Sequence, residues 1–255
     1  MRNHNRTVWL IAILLTLMNL GSVSQAYEET TLQQVDELLT QGENVQAWES
    51  LQRLSAEDTD YEEALWRMAR AQYEMGRLAG TDKDALRFFQ ESEKYARAAI
   101  AAAPDRSDGY KWLAIALGAQ SKYIDTKTQV KHSREIKGNI EKAIILAPDD
   151  DISYLILSRW HYKMSGLNYF ARIFANMIYG ELPKASLEES EKLLLQAIEL
   201  HDRVSHRYNL YKVYARMGRA DDAKAQLEKT LTLPATFPEE AEELIKARGK
   251  LEKSP

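Results

Sequence analysis

Two stretches of the chain decide the fold, because they repeat one pattern: EKYARAAIAAAPDRSDGYKWLAIALG at residues 93–118 and KGNIEKAIILAPDDDISYLILSRWHY at residues 137–162. Aligned on Pro104 and Pro148, each has an alanine five residues before the proline and a tyrosine six residues after it. Proline disrupts a continuing helix, so each stretch predicts one helix that ends, a short turn and a second helix that begins. Self-similarity of this kind indicates a repeat architecture.

The pattern continues on both sides, in VDELLTQGENVQAWESLQRL at residues 35–54 and YNLYKVYARMGRADDAKAQLEKTLTLP at residues 208–234. Apolar residues recur at spacings of three and four, and the alternation typical of strands is missing, so the class is all-α. We expect five helical hairpins and a charged C-terminal helix with its polar face toward solvent. Their approximate ranges are 28–60, 61–105, 107–149, 151–203 and 204–236, followed by the helix at 238–253.

Small residues stand where the helices of a hairpin would cross, at Ala99, Ala143, Ala197 and Ala223. Small side chains at a crossing let two helix backbones approach closely, while Leu, Tyr and Trp fill the layer between hairpins. With the glycine turns and the closing prolines, this pattern resembles the tetratricopeptide repeat. The resemblance implies an α-α superhelix, or solenoid, capped by the terminal helix.

Composition and motifs exclude several classes of function. The chain has 34 basic and 38 acidic residues and no cysteine, which argues against a nucleic-acid binder and excludes disulfides, thiolate metal sites and cysteine nucleophiles. We find no G-x-S-x-G, H-E-x-x-H or G-x-G-x-x-G motif. The sequence therefore predicts a protein that is not an enzyme and that has no cofactor, metal or nucleic-acid partner.

Three consecutive aspartates, residues 149–151, follow Pro148 and precede an apolar run. We interpret them as the turn between two helices, in which Asp150 or Asp151 caps the next helix and the other two aspartates are solvated. A calcium loop would need alternating acids, a glycine turn and a distal carboxylate, and these are missing.

The N-terminal segment has the composition of an export signal. Arg2 and Arg6 precede an apolar run at 8–20 and the small residues Ser24 and Ala26. This predicts a signal peptide at 1–26, a repeat domain at 27–255, and an exported protein, periplasmic or secreted. The alternative is an uncleaved helix that anchors the chain in a membrane.

Two hairpins are longer than the standard period, which predicts insertions at about 121–138 and 165–184. The first is basic and contains Lys127, Lys131 and Arg134. It is either a solvated face or a surface for phosphates, carboxylate-rich peptides or lipid headgroups. The second, GLNYFARIFANMIYGELP, either joins the core or lines a groove for a peptide, a partner helix or an acyl chain.

Predicted binding residues come from these insertions and from the helix between them. For His161, a buried structural histidine is the alternative to a binding role. The full set is Tyr154, Trp160, His161, Tyr169, Phe170, Phe174, Met177, Lys127, Lys131 and Arg134.

Residues 139–200 carry a more specific resemblance. The pattern KAI.L.P leads into L.RW.Y, then an apolar insert, then LP.ASLEE and a helix that ends in AIEL. This resembles the regulator of microtubule dynamics family, and the likeness covers about residues 90–235. It implies a repeat domain that in some members tethers organelles and is implicated in carrying phospholipid. An exported chain would not share the microtubule role.

The expected function is a non-catalytic scaffold that binds a protein or peptide partner on the concave face of the superhelix. The alternative is a lipid or fatty-acid carrier, with the acyl chain near residues 167–179 and a peripheral association with a membrane.

Overall fold

The computed structural model describes residues 32–56, 61–167, 176–178 and 180–252, and over these ranges the chain is helical, without strands. The all-α prediction is confirmed, and the helices pair as the repeat pattern predicts. The helices are α1 (32–41), α2 (Asn44–Ala56), α3 (Tyr61–Arg77), α4 (Asp82–Ala102), α5 (Ser107–Gln120), α6 (Thr126–Leu146), α7 (Asp151–Ser165), α8 (Leu187–Leu200), α9 (Val204–Met217), α10 (Ala220–Thr230) and α11 (Pro238–Leu251).

The helices form two layers. The first helices of hairpins two to five, α3, α5, α7 and α9, contact one another in chain order. The second helices α4, α6 and α8 each pack against the first helix of their own hairpin and the first helix of the next. The first helices therefore form the inner layer of the superhelix, and one face of each lines a groove.

Small residues allow this packing. Ala99, Ala143, Ala197 and Ala223 are all buried. Gly109 shows how tight the α4–α5 crossing is, because a Cβ placed there would lie 2.9 Å from the backbone nitrogen of Ile100. A larger side chain at this position would force the two helices apart.

The two stretches that repeat in the sequence also repeat in the structure. The hydroxyl of Tyr110 donates a hydrogen bond to the Pro104 carbonyl at 3.0 Å, and the hydroxyl of Tyr154 donates to the Pro148 carbonyl at 3.0 Å. Pro104 and Pro148 directly follow the C-cap residues of α4 and α6, so each tyrosine bonds a backbone carbonyl of the turn. The matched tyrosines therefore stabilise the turn between one hairpin and the next.

The three aspartates separate α6 from α7 as predicted, but their environments differ from the prediction. Asp149 is exposed, whereas Asp151 is only 5% exposed. Its carboxylate lies 2.5 Å from Nε of Arg203. The expectation that two aspartates are solvated is wrong for Asp151, because the next hairpin brings an arginine over it.

Candidate binding groove

The inner layer encloses a cavity of about 220 Å³ between α3, α5, α7 and α9, with the start of α11 on one side. Its walls are largely aromatic and aliphatic, with single charged groups between the apolar side chains. Apolar walls of this kind exclude water and strengthen the interaction of a buried charge with a ligand. The apolar wall residues include Trp66, Tyr73, Trp112, Ile115, Ile152 and Ile156.

Arg70 is the first cation of this groove. It stands between Trp66 and Tyr73 on one face of α3, at helical spacings of four and three residues. Burial lowers the pKa of the Arg70 guanidinium, and the charges of Glu74, Asp36 and Glu239 only partly offset this effect. Arg70 makes no hydrogen bond and no ion pair with any residue that the structure describes. A partly desolvated cation without a carboxylate favours an anionic ligand.

Lys212 on α9, near Arg159 but outside the cavity wall, is a second partly desolvated cation. Burial, with the positive charge of Arg159 as the next cause, lowers the pKa of Lys212 to about 8. Its ammonium lies 5.4 Å from the centre of the Tyr208 ring and forms neither a hydrogen bond nor an ion pair within the described part of the chain. A ligand carboxylate beside Lys212 would stabilise its charged form.

The acids on the inner helices already have basic partners. Glu74 lies 2.8 Å from Arg77, and Asp108 lies 3.2 Å from Lys111. Burial raises the pKa of Glu74, and the nearby Glu239 raises it further, against the lowering effect of Arg77. These carboxylates are therefore already paired, whereas Arg70 forms no ion pair with a described residue.

The start of α11 lies over this groove. Glu239 is 3.4 Å from Arg77 of α3, and Glu243 is 3.3 Å from Arg159 of α7. A Cβ placed on Gly42, in the turn between α1 and α2, would lie 3.7 Å from Cγ of Pro238. The terminal helix was expected to present its polar face to solvent, but part of that face meets the basic groove and reaches the first two hairpins.

Glu240 fixes where α11 begins. Its carboxylate accepts hydrogen bonds from the backbone N–H of Thr236 at 2.7 Å, of Phe237 at 3.2 Å and of Ser205 at 3.2 Å. Burial alone would raise the pKa of Glu240, but these hydrogen bonds outweigh it and hold the pKa below its usual value. The carboxylate thus supplies the acceptors that a helix N-terminus needs.

The structure places the predicted residues of α7 mostly in the core. Trp160 is buried, donates to the Ser133 carbonyl at 2.9 Å and reaches the groove only at the end that contains Lys163. His161 is buried, and its Nδ1 accepts a hydrogen bond from the backbone N–H of Ser186 at 3.4 Å. Tyr154 is half-buried and holds the turn already described.

The predicted residues of the insertions lie away from the groove or outside the described part of the chain. Lys127 and Lys131 are exposed on α6, a helix of the outer layer. Arg134 donates to the Gly180 carbonyl at 2.9 Å and so joins α6 to the second insertion. Met177 is 74% exposed. Tyr169, Phe170 and Phe174 fall outside the described residues, and the binding role of all these residues stays a prediction.

Sequence reasoning missed Arg70, Arg77, Arg159 and Lys212, because it looked for function in the insertions. These cations could have been found by looking for basic residues on the groove-facing side of the first helix of each hairpin. The run from Trp66 through Arg70 to Tyr73 is the clearest case, with an arginine between two aromatic residues on one helical face.

Two further types of site were searched for in the described ranges. No group of three or more histidine, aspartate or glutamate side chains there could hold a metal ion. None of the helices in those ranges combines the length and the apolar composition that crossing a membrane requires.

The chain was compared with known proteins. Residues 31–254 match the family model of regulator of microtubule dynamics protein 1-3. The chain is similar to regulator of microtubule dynamics protein 3 of Xenopus laevis, with 30% identity over 72% of this chain and 40% of the relative. It is also similar to protein 1 of Bos taurus, with 30% identity over 64% of this chain and 51% of the relative. The chain spans about half the length of the curated relatives it matches.

A solved structure supports the repeat fold. A crystal structure of a thermophilic TPR protein from Thermus thermophilus superposes with a TM-score of 0.67 at 20% identity. The match covers 88% of this chain and 99% of that chain. The tetratricopeptide-type fold predicted from the spacing of prolines and alanines is therefore confirmed.

The relatives also correct the predicted location. Export to the periplasm or the outside is wrong, because the matching proteins are regulators of microtubule dynamics and microtubules are polymers of the cytoplasm. The predicted signal segment at 1–26 lies outside the described residues. The family model extends over residues 31–254, and the relatives agree with it. The chain therefore belongs to the regulator of microtubule dynamics protein 1-3 family.

Proposed function

We propose that the protein is a non-catalytic scaffold that binds an acidic segment of a protein partner in the inner groove. One observation carries this proposal: Arg70 is a partly desolvated cation in the wall of an apolar groove, and it forms no ion pair with any described residue. Leaving a charge desolvated is unfavourable, so a ligand that supplies carboxylates gains binding energy there.

The shape of the groove favours a polypeptide segment over a small molecule. Its wall residues come from several successive hairpins, so an elongated ligand can contact many positions at once. Aromatic and arginine side chains are the types that most often dominate protein interfaces, and Trp66, Tyr73 and Arg70 stand on one helical face.

The names of the relatives suggest one class of partner. Those proteins are regulators of microtubule dynamics. With the prediction of export overturned, the reason for setting the microtubule role aside no longer holds. We therefore include microtubules among the partners to be tested. We do not propose the lipid carrier, because the aromatic rings on which it depended lie outside the described residues.

Site-specific photo-cross-linking tests the proposal. A photoreactive amino acid replaces Ile115 in the groove, and a matched variant carries it at Ile145, which is 74% exposed on α6 of the outer layer. Each variant is irradiated in cells and separately with polymerised tubulin. The proposal predicts discrete protein adducts from position 115 that Arg70→Glu suppresses. Adducts from position 145 only, or equal adducts from both positions, would refute it.

A further inference from the structure

The first turns of α11 bring carboxylates to Arg159 in the wall of the groove and to Arg77, which follows Arg70 on α3. Glu239 pairs with Arg77 of hairpin two, and Glu243 pairs with Arg159 of hairpin four. Residues four apart lie on the same face of a helix, so these two carboxylates form one acidic edge. The chain thus places an acidic helix of its own against the surface that we propose binds an acidic partner.

Glu243 makes this contact more specific. Besides the ion pair with Arg159, its carboxylate accepts a hydrogen bond from the hydroxyl of Ser205 at 2.7 Å. Arg159 also donates through Nε to the side-chain oxygen of Asn209 at 3.3 Å. Side chains of α7 and α9 therefore hold one carboxylate of α11 in a defined position, which is how a ligand carboxylate would be held.

The two ends of α11 are held differently. Near its C-terminus, Ala247 is buried with Tyr208 and Leu227, and Leu251 packs against this cluster. At its start Phe237 and Pro238 line the cavity, and the ion pairs of Glu239 and Glu243 are partly exposed. Partly exposed ion pairs contribute modestly to stability. These two ion pairs therefore add only modestly to the contacts that hold the start of α11.

The remaining contacts at the start are partly internal to the segment. Glu240 accepts hydrogen bonds from Thr236 and Phe237, which would move together with it. Separation would break its hydrogen bond from the backbone N–H of Ser205 and the contacts of Arg203 with the Thr236 hydroxyl and the Phe237 ring. Ala247 would keep the end of the helix attached to the last hairpin.

We propose, on the basis of the groove function above, that the start of α11 is a built-in competitor of the partner. The partner segment that fits is an acidic amphipathic helix with carboxylates four residues apart, which takes over Arg77 and Arg159 as α11 moves away. Because a groove that is partly occupied binds a ligand more weakly, α11 sets the apparent affinity for the partner.

A fluorescent peptide with the sequence of residues 236–252 tests this competition in the full-length protein. The titration compares the wild-type chain, the double variant Glu239→Gln/Glu243→Gln, and the control Glu252→Gln. Glu252 is exposed and makes no ion pair with any described residue, so the control removes a charge from the same segment without changing the groove. We expect the double variant to bind the peptide up to about tenfold more tightly than the wild type and the control.

Two measurements complete the test. A peptide in which glutamine replaces the glutamates at the positions of Glu239 and Glu243 should lose most of its binding. Amide hydrogen exchange in residues 238–243 of the chain should increase when the unmodified peptide saturates the wild-type protein. Equal affinity for all three chains, or unchanged exchange in that segment, would overturn the inference. If position 115 forms cross-linked adducts but one of these two results is found, the groove binds partners without competition from α11. If position 115 forms no adducts, the proposed groove function itself is refuted.

Discussion

Glu239 lies 3.4 Å from Arg77, although 162 positions separate them in the sequence. In a repeat protein each hairpin mainly contacts its neighbours, so interactions between distant parts of the chain are few. Here the final helix contacts the fifth hairpin along its length and reaches α3 with its first turn. The groove is therefore bounded by both ends of the superhelix, and its accessibility depends on α11.

Two glycines of α5 give a matched test of the repeat packing. A Cβ on Gly109 would meet the backbone nitrogen of Ile100 at 2.9 Å, whereas a Cβ on Gly118 would meet nothing within 4 Å. We expect Gly109→Ala to lower the free energy of unfolding by about 1–3 kcal/mol, because the backbone of α4 must move. Gly118→Ala should raise it by up to about 1 kcal/mol through helix propensity. Equal effects in denaturant titrations would show that the α4–α5 crossing is misplaced.

The aspartates at the start of α7 allow a buried carboxylate to be compared with a solvated one. Asp151 is buried and pairs with Arg203, so Asp151→Ala leaves a guanidinium that is only 20% exposed without its partner. We expect a loss of about 1–3 kcal/mol in the free energy of unfolding. Asp149→Ala, at an exposed position, should change it by less than about 0.5 kcal/mol. Similar melting temperatures for the two variants would contradict the buried ion pair.

The boundaries of the hairpins could be predicted because they depend on local signals. The alanine, proline and tyrosine of each repeat lie within about a dozen residues of one another, and all belong to one turn between helices. The partner of Asp151 could not be predicted in this way, since Arg203 lies 52 positions away and arrives with the next hairpin. The groove could not be predicted for the same reason, because its wall residues come together only when the hairpins stack.

Interpreting composition without tertiary context also led to errors. The charged helix after Pro238 has the sequence expected of a solvent-exposed cap, and no local pattern shows that Glu239 and Glu243 meet arginines of other hairpins. The basic residues of α6 attracted attention because they are close in sequence, whereas Arg70 is flanked by apolar residues of α3. Basic residues that are close in the sequence thus did not indicate where basic residues lie close together in the folded structure.

His161 makes stability depend on pH. Burial lowers its pKa from the usual 6.5, and the hydrogen bond that Nδ1 accepts from Ser186 requires a ring nitrogen without a proton. The folded state therefore favours neutral histidine. Its contribution is complete above about pH 6.5 and is lost as the pH falls below that value toward the lowered pKa.

Replacing His161 by glutamine measures this contribution. The decrease in melting temperature between pH 7.5 and pH 5.5 should be smaller in His161→Gln than in the wild type, because one group that must take up a proton is gone. Both proteins retain the other buried histidines, His132 and His206, so their contribution is the same in the two. A variant with the same or a larger decrease would show that His161 is not held neutral.

Lys212 should titrate far below an ordinary lysine. Its pKa is lowered to about 8 from the usual 10.5, so NMR of 13C-methylated lysines should show one resonance that titrates near pH 8 and is missing from Lys212→Arg. A bound carboxylate stabilises the ammonium, so the acidic peptide should move this midpoint upward. A midpoint near 10.5 without peptide would mean that the groove does not desolvate this amine.

The central claim is that partners bind in the inner groove. Its most direct test is amide hydrogen exchange of the full-length protein, alone and saturated with a partner captured by the cross-linker at position 115. The account predicts slower exchange in α3, α5 and α7, faster exchange in residues 238–243, and no change in α4 and α6. Slower exchange confined to α4 and α6, with the inner helices unchanged, would contradict it.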